Sequence, residues 1–501
     1  MKYLLGLDLG SGSVKATLID LHGYCVAVSA NEYATYYPQD GWAEQEPEEW
    51  YNAAVRTIRG LLAASRVNPG DIAALAADAA THTAVLLASG DKPLRRATFL
   101  TDQRRASQAS WLNGHYGDIL RQQTCNTATS VWTLPQLMWL KENEPDILTR
   151  TRLVLFAKDY LRFRLTGDRS TDRIDAMGSL FYDTEAQNWS TVLGALTGLA
   201  EDCYPTVREP TDLAGFITAE ASAATGLAAG TAVITGTTDT AMELVAAGAV
   251  CPGQSAVKLA TAGRFYHISD YPCPNPYLIN YQHIIHGTWY PGAATKASAS
   301  SFRWYRDTFA RDIPLSSGQS SYNLLDKAAA AIKPGCAGLF FHPYLLGELT
   351  PYNDASLRGS FVGVTMRHTQ AHFTRAVLEG VAFSLRDCYA VLAKEGLAPD
   401  DARIIGGGAA SPLWRGIVAD ILGIPLDKPE NDDSSFGAAL IAGVGCGLFP
   451  SVQAAVARCV RMASRTEPDP ARHKQYEPYY RYYQTIHDVL APVYRQDYPV
   501  T

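Results

Sequence analysis

Three short stretches of this chain carry residue types suited to handling a phosphoryl group. The first is Gly6-Leu7-Asp8-Leu9-Gly10-Ser11-Gly12-Ser13-Val14-Lys15. Gly10 and Gly12 leave backbone N–H groups open in a turn, and Ser11 and Ser13 add hydroxyl donors. Such a turn can cradle a polyphosphate, with Asp8 holding a hydrated Mg2+. The same residues also suit an ordinary hairpin turn that Asp8 caps. The second stretch is Thr235-Gly236-Thr237-Thr238-Asp239-Thr240-Ala241-Met242-Glu243. A carboxylate just past a strand end can take a proton from a substrate hydroxyl; alternatively Thr240 and Glu243 form a capping box and Asp239 only favours the helix start. The third is Gly406-Gly407-Gly408-Ala409-Ala410-Ser411, where glycines permit close approach of a flat ligand such as a purine, or merely a tight strand-to-helix turn. No Lys precedes Ser or Thr anywhere, which excludes a Walker A loop. The first Gly-rich turn lies between two strands, which excludes a dinucleotide fingerprint.

The elements around these stretches alternate strand and helix. Tyr3–Leu9 and Val14–Asp20 read as a hairpin, Trp50–Ala64 as a helix, and Ile72–Ala77 and Ala84–Leu87 as strands. Thr133–Glu144 and Asp159–Leu165 read as helices. Ala232–Gly236 reads as a short buried strand followed at once by a helix through Ala247. The run Gly248–Gly253 breaks the pattern and predicts a domain boundary, giving domains 1–248 and 249–501. The second half opens again with strands Ser255–Leu259 and Phe265–Ile268. Helices follow at Ser300–Thr308 and His372–Ala393, then strand Arg403–Ile405 and a helix from about Pro412. Two halves that each open on a strand pair predict two α/β domains facing a cleft.

Composition bounds the partners. The 501 residues hold 43 Lys plus Arg against 50 Asp plus Glu, a formal net charge of −7. Without basic blocks, neither a nucleic-acid backbone nor an anionic membrane surface is an expected partner. The start MKYLLGLDLG is too short and too polar for a signal peptide, and the uncharged stretch Phe436–Ala457 holds glycines and a proline that suit a buried helix and turn. Nine scattered cysteines without a CxxC pair predict reduced thiols in the cytoplasm. His283 and His286 lack acidic or Cys partners nearby and read as structural. Tyr476–Tyr483 reads as packing for a C-terminal helix, and Glu379 with Phe383 and Arg386 as a helix with an internal charge pair.

With these pieces in order the chain resembles the FGGY family of carbohydrate kinases, in its xylulokinase-like branch. The most specific stretch is GSFVGVTMRHTQAHFTRAVLE (359–379), which fits the family's C-terminal signature at Gly359, Phe361, Gly363, Val364, His372, Phe373, Ala376, Val377, Leu378 and Glu379. PYLLGELTPYND (343–354), AKDYLRFRLTGDRSTDRIDAMGS (157–179) and SSFRWYRD (300–307) are also similar. Near the expected N-terminal signature, Trp139-Leu140-Lys141-Glu142 fits, with Gln136 where Lys is typical. Ala80-Thr81-His82-Thr83 stands in place of Gln-Met-His-Gly. Phe99-Leu100-Thr101-Asp102-Gln103-Arg104 stands in place of Leu-Trp-Asn-Asp-Gln-Arg, and Ala260-Thr261-Ala262-Gly263 in place of Gly-Thr-Ser-Gly.

The resemblance implies an actin/hexokinase-like (ribonuclease H-like) α/β fold whose two domains close on ATP and a sugar. It implies Asp239 as catalytic base, Asp8 as the metal-associated aspartate, and Thr81 and His82 with Asp239 at the sugar. Gly10, Ser11, Gly12, Ser13, Lys15, Thr261, Gly263, Gly407, Gly408 and Ser411 are implied at the nucleotide. The expected activity is ATP- and Mg2+-dependent phosphorylation of a ketopentose such as D-xylulose, in a cytoplasmic enzyme that can form a homodimer. The departures near the sugar keep ribulose, a hexulose or glycerol open as acceptors. A nucleotide-switched actin-like binding protein is the alternative outside enzymes.

Overall fold

The computed structural model describes residues 1–311 and 320–496 and contains two six-stranded mixed sheets. The first is built from β1 (Tyr3–Leu9), β2 (Ser13–Asp20), β3 (Cys25–Glu32), β4 (Ile72–Ala79), β5 (Leu213–Phe216) and β6 (Ala232–Thr238). The second is built from β7 (Ser255–Leu259), β8 (Gly263–His267), β9 (Gly292–Thr295), β10 (Ala402–Ile405), β11 (Leu426–Pro429) and β12 (Met462–Thr466). Their orders, β3-β2-β1-β4-β6-β5 and β9-β8-β7-β10-β11-β12, follow one plan. In each, an antiparallel meander joins two parallel strands and an antiparallel edge strand closes the row. The two-sheet α/β fold expected from the sequence is therefore present.

Six helices matter for the site: α1 (Pro47–Ser65), α2 (Asp239–Ala246), α3 (Gln370–Lys394), α4 (Pro412–Leu422), α5 (Ser434–Gly445) and α6 (Pro470–Tyr494). Side chains on β1 alternate between two covered faces. Leu5 and Leu7 join a core with Trp50, Ala54 and Ile58 of α1, whereas Leu4 joins one with Phe436, Leu440 and Ile441 of α5. In the uncharged stretch Phe436–Ala457 a mostly buried helix and a turn are present as expected, but a second helix, Val452–Cys459, also begins inside it; among the described residues no helix is long and apolar enough to cross a membrane.

Helix α5 comes from the second half of the chain yet lies on the first sheet, against β1, β4 and α2. Its small residues permit that approach. A Cβ at Gly6 would stand 1.8 Å from the Ser435 carbonyl oxygen, and one at Gly437 would stand 2.0 Å from that of Met242. Gly6→Ala is therefore expected to destabilise the protein by at least about 1–3 kcal/mol, the usual cost of overpacking. An unchanged denaturation midpoint in urea would show that helix and sheet are not this close.

The remaining expectations sort simply. Tyr476, Tyr480 and Tyr483 of α6 are buried, and Tyr480 donates to Asp387 of α3 at 2.6 Å. Glu379 does have a charge partner inside α3, but it is Arg375, one turn earlier at 2.7 Å; Arg386 reaches out instead to Glu477 of α6. Glu379 and Arg386 are seven residues apart, two full turns, too far for the direct pair. His283 is buried and accepts from its own loop at Ile285 N–H, while His286 is solvent-facing beside Glu209.

Candidate active site

Three parallel strands, β1, β4 and β6, end side by side, and each end presents a carboxylate or the start of α2. Asp8 of β1 lies opposite Asp78 of β4, and Thr237 of β6 lies opposite Asp78 from the other side. The register slips between Ile234 and Thr237, where Gly236 has φ 72°. A Cβ there would lie 2.0 Å from the Ala77 carbonyl oxygen, so only glycine allows the bulge that turns the chain into α2.

Asp239 is the first residue of α2 and is half-buried. The proposed capping box of Thr240 and Glu243 does not form. Thr238 is the cap, accepting from Ala241 N–H, and Glu243 is held by Lys258 at 2.6 Å through both oxygens. Thr238 stands one residue earlier and already has the extended backbone a cap needs, so Asp239 is spared that duty. One Asp239 oxygen accepts from Thr240 N–H at 2.6 Å, and the carboxylate has no ion pair among the described residues.

The electrostatics of this corner are strongly unbalanced. Asp78 is fully buried, and neither of its oxygens has a hydrogen-bond donor. Burial, then the charges of Asp8 and Asp239, push its carboxyl well above the usual range. Burial, then Asp433 and Asp239, push Asp8 up to about 7. The nearby cations are committed elsewhere: Lys15 pairs with Asp433 and Lys258 with Glu243. Two facing carboxylates, of which Asp78 has both oxygens buried and orphaned, fit a divalent cation. Among the described residues no three His, Cys, Asp or Glu converge as a closed metal site.

The first Gly turn is ordered by its surroundings. Gly10 N–H donates to Ser13 O at 3.0 Å, the Gly10 carbonyl accepts from Tyr33 OH, and Ser11 O accepts from Gln45 Nε2 at 2.8 Å. Ser11 and Gly12 are exposed, with their remaining groups open to a ligand. Across the cleft, a cavity of about 470 Å3 is lined by Thr261, Gly407, Gly408 and Ser411 together with Tyr322, Asp326 and Trp414. Four predicted residues thus meet in one cavity. Ser411 also caps α4 by accepting from Trp414 N–H. Gly263 does not face that cavity; it is buried against Thr295, Leu385 and Ser298 and shapes the turn from behind. Two adjacent acids tie the halves of the site together: Asp432 accepts from Gly406 N–H at 2.7 Å, and Asp433 holds Lys15 while capping α5.

His82 sits beyond β4 with φ 76°, a left-handed conformation that a bulky residue adopts only where its surroundings hold it. One ring nitrogen, Nδ1, donates to Gly178 O at 2.7 Å, which leaves Nε2 to accept from Tyr281 OH at 3.1 Å. Trp132 meets the ring edge-on at 4.6 Å. Burial, offset in part by the Gly178 bond, pushes the imidazole down to about 4, so it is neutral. Thr81 packs against Gly178 beside it.

Sequence reasoning missed Asp78, Asp433, Trp132 and Tyr281. Asp78 carried a signal, as the one charge at the end of the apolar run IAALAADA. Asp433 carried another, as a capping acid before SSFGAAL. The two aromatics carried none, since only tertiary packing brings them to His82.

Two family descriptions match the chain: "FGGY family of carbohydrate kinases, N-terminal domain" at residues 3–246 and "FGGY family of carbohydrate kinases, C-terminal domain" at residues 232–446. A xylulose kinase of Lactococcus lactis subsp. lactis (strain IL1403) is 32% identical over 503 residues, covering 99% of this chain and 98% of that protein. One from Bacillus subtilis (strain 168) is 31% identical over 491 residues, 97% of each. The crystal structure of a xylulose kinase from Rhodospirillum rubrum superposes with a TM-score of 0.89 at 29% identity, covering 99% of this chain and 100% of that one.

Proposed function

The chain belongs to the FGGY family of carbohydrate kinases, ATP-dependent enzymes that phosphorylate sugars, and we propose that its acceptor is a ketopentose, D-xylulose, phosphorylated at the terminal hydroxyl. The observation that carries this reading is the free carboxylate of Asp239 at the head of α2. Its charge acts both on the carboxylate pair Asp8–Asp78 and on Tyr281, the hydrogen-bond partner of His82, and Thr261, Gly407, Gly408 and Ser411 line the 470 Å3 cavity.

The chemistry follows from placement. Asp239 accepts the proton of the sugar hydroxyl as that oxygen forms its bond to the γ-phosphorus and the bond to the β,γ-bridging oxygen breaks. Ser11, Gly12 and Ser13 on one side and Thr261 on the other donate to phosphate oxygens, while Gly407, Gly408 and Ser411 border the nucleoside. Asp8 and Asp78 would hold Mg2+, which when bound supplies positive charge to the phosphates. His82, kept neutral and fixed by Gly178, offers the sugar a hydroxyl-accepting nitrogen in place of Tyr281. Nine free thiols and the use of ATP support a cytoplasmic site of action.

His82→Ala is expected to raise the sugar KM roughly 5- to 150-fold, the equivalent of about 1–3 kcal/mol for an unpaired buried partner, with the ATP KM little changed. Because the imidazole titrates at about 4 and is neutral above about pH 5, it contributes no pH dependence to the sugar KM between pH 6 and 8. A variant in which only the ATP KM moves would put His82 on the wrong ligand.

The function itself is tested by ADP release across pentuloses, hexuloses and polyols. D-xylulose is expected to give the highest kcat/KM of the neutral sugars. Release that no sugar stimulates above intrinsic ATP hydrolysis would instead indicate a nucleotide-switched binding protein.

A further inference from the structure

Loops that grip phosphates cannot tell one nucleoside triphosphate from another, because the phosphates are common to all of them. That choice falls to the side chains that meet the base. In the 470 Å3 cavity, the Ser300 hydroxyl donates to the Thr261 carbonyl at 2.6 Å, beside the phosphate loop. Aromatic rings make up another part of the lining: Phe302 meets Tyr322 at 5.2 Å and Trp414 at 5.6 Å. Rings and glycines together form a surface suited to a flat base.

Tyr322 and Asp326 stand one turn apart on the helix Ser321–Ala330, and both line this cavity. Asp326 is the exception among the lining residues. Its Oδ1 is buried without a hydrogen-bond donor, and among the described residues no other side chain of the cavity has such an orphaned atom. Burial raises the pKa of this carboxyl, and only the Ser411 hydroxyl works the other way. The indole N–H of Trp414 cannot serve the orphaned oxygen, because it donates to the Leu378 carbonyl at 3.0 Å.

A buried carboxylate oxygen without a donor is costly, and an N–H group on a ligand removes that cost. An ionised carboxylate can only accept. Adenine carries an exocyclic amine, N6, where guanine carries the acceptor oxygen O6. The amine can donate to Asp326, whereas O6 would meet it acceptor to acceptor. We infer that Asp326 selects the phosphate donor by accepting from the N6 amine of adenine, so that ATP is taken in preference to GTP. This rests on the kinase reading above and deepens it, assigning base preference to one side chain of the nucleotide cavity.

The test compares ATP, GTP, 2′-deoxy-ATP and purine riboside triphosphate, which lacks the amine, as donors to D-xylulose, by formation of sugar phosphate. Wild type should favour ATP over GTP and over purine riboside triphosphate by at least roughly tenfold in kcat/KM. Asp326→Ala should bring ATP down to the level of purine riboside triphosphate, with the sugar KM little changed. Asp326→Asn, whose amide donates as well as accepts, should raise kcat/KM for GTP toward that for ATP. Equal use of ATP and purine riboside triphosphate by wild type would overturn the inference and leave the function intact. An Asp326→Ala variant that loses all four donors alike, with their ratios intact, would overturn it too. So would an effect confined to the difference between ATP and 2′-deoxy-ATP, which would place the carboxylate on the ribose. If thermal melts show that Asp326→Ala folds poorly, the GTP to ATP ratio of Asp326→Asn, which keeps the size, still decides. Should no sugar be phosphorylated, the function fails first, and calorimetry of ADP against GDP with wild type and Asp326→Asn decides. Equal binding of the two by wild type, or an unchanged preference in the variant, sinks the inference by itself.

Discussion

Asp239→Asn is expected to lower turnover by at least roughly 10²-fold, the low end for losing a general base, without lowering stability. The amide keeps the size of the carboxylate, and its oxygen can still accept from Thr240 N–H. The helix start does not depend on the charge, because Thr238 is the cap. The charge in fact works against the metal-free fold, since it contributes to pushing up both Asp8 and Asp78. A structural role would make the Asn variant less stable and nearly as active. A proton-accepting role makes it as stable or more so, and nearly inactive. Steady-state ADP release and a thermal melt on one preparation separate these. Turnover near wild type in the folded variant would remove Asp239 from the chemistry.

Asp8→Asn is expected to have a comparable effect by another route. Asp8 is pushed up to about 7 from an ordinary value of 3.8, chiefly by burial. The folded metal-free state therefore binds more protons than the unfolded chain between those two values, and stability falls as pH rises from about 4 to about 7. Above about pH 7 Asp8 is ionised among the other acids of this corner, and a divalent cation that binds only the folded protein should raise the melting temperature. In Asp8→Asn the repulsion between this side chain and its acidic neighbours is gone. The metal-free variant should melt higher than wild type at pH 8, the rise on adding Mg2+ should vanish, and turnover should fall at least roughly 10²-fold, with sugar binding by calorimetry nearly unchanged. Loss of sugar affinity with an intact Mg2+-dependent melt would mean that Asp8 serves the acceptor.

Much of this could be seen in the sequence, for identifiable reasons. The hairpin β1–β2, the strand before Asp239 and the glycine turn after β10 are local: their turn residues and apolar runs dictate them within ten residues. Asp8, Asp239, Gly407 and Gly408 were legible because each sits beside such a turn, whereas Thr261 came only from the family resemblance. What escaped depends on distant contacts. The expected strand Ile72–Ala77 stopped short of Asp78 because a lone carboxylate argues for a strand's end, and here the strand continues with that carboxylate buried beside Asp8. Thr240 and Glu243 have the spacing of a capping box, but Lys258 of the second half claims Glu243. Tyr281 carried no local signal, since only the loop before β9 brings it to His82.

Helix α5 gives the protein an unusual order of assembly during synthesis. The first sheet is complete once Thr238 has been made, but the helix that covers one of its faces starts at Ser434, nearly two hundred residues later. At bacterial or eukaryotic elongation rates that interval is on the order of 10–40 s. Throughout it, the face carrying Leu4, Ala74 and Ala76 lacks its apolar cover on the ribosome. The nascent first half is therefore a client for chaperones that hold apolar surface, and a stop codon just before Ser434 would cripple a sheet whose own residues are all intact.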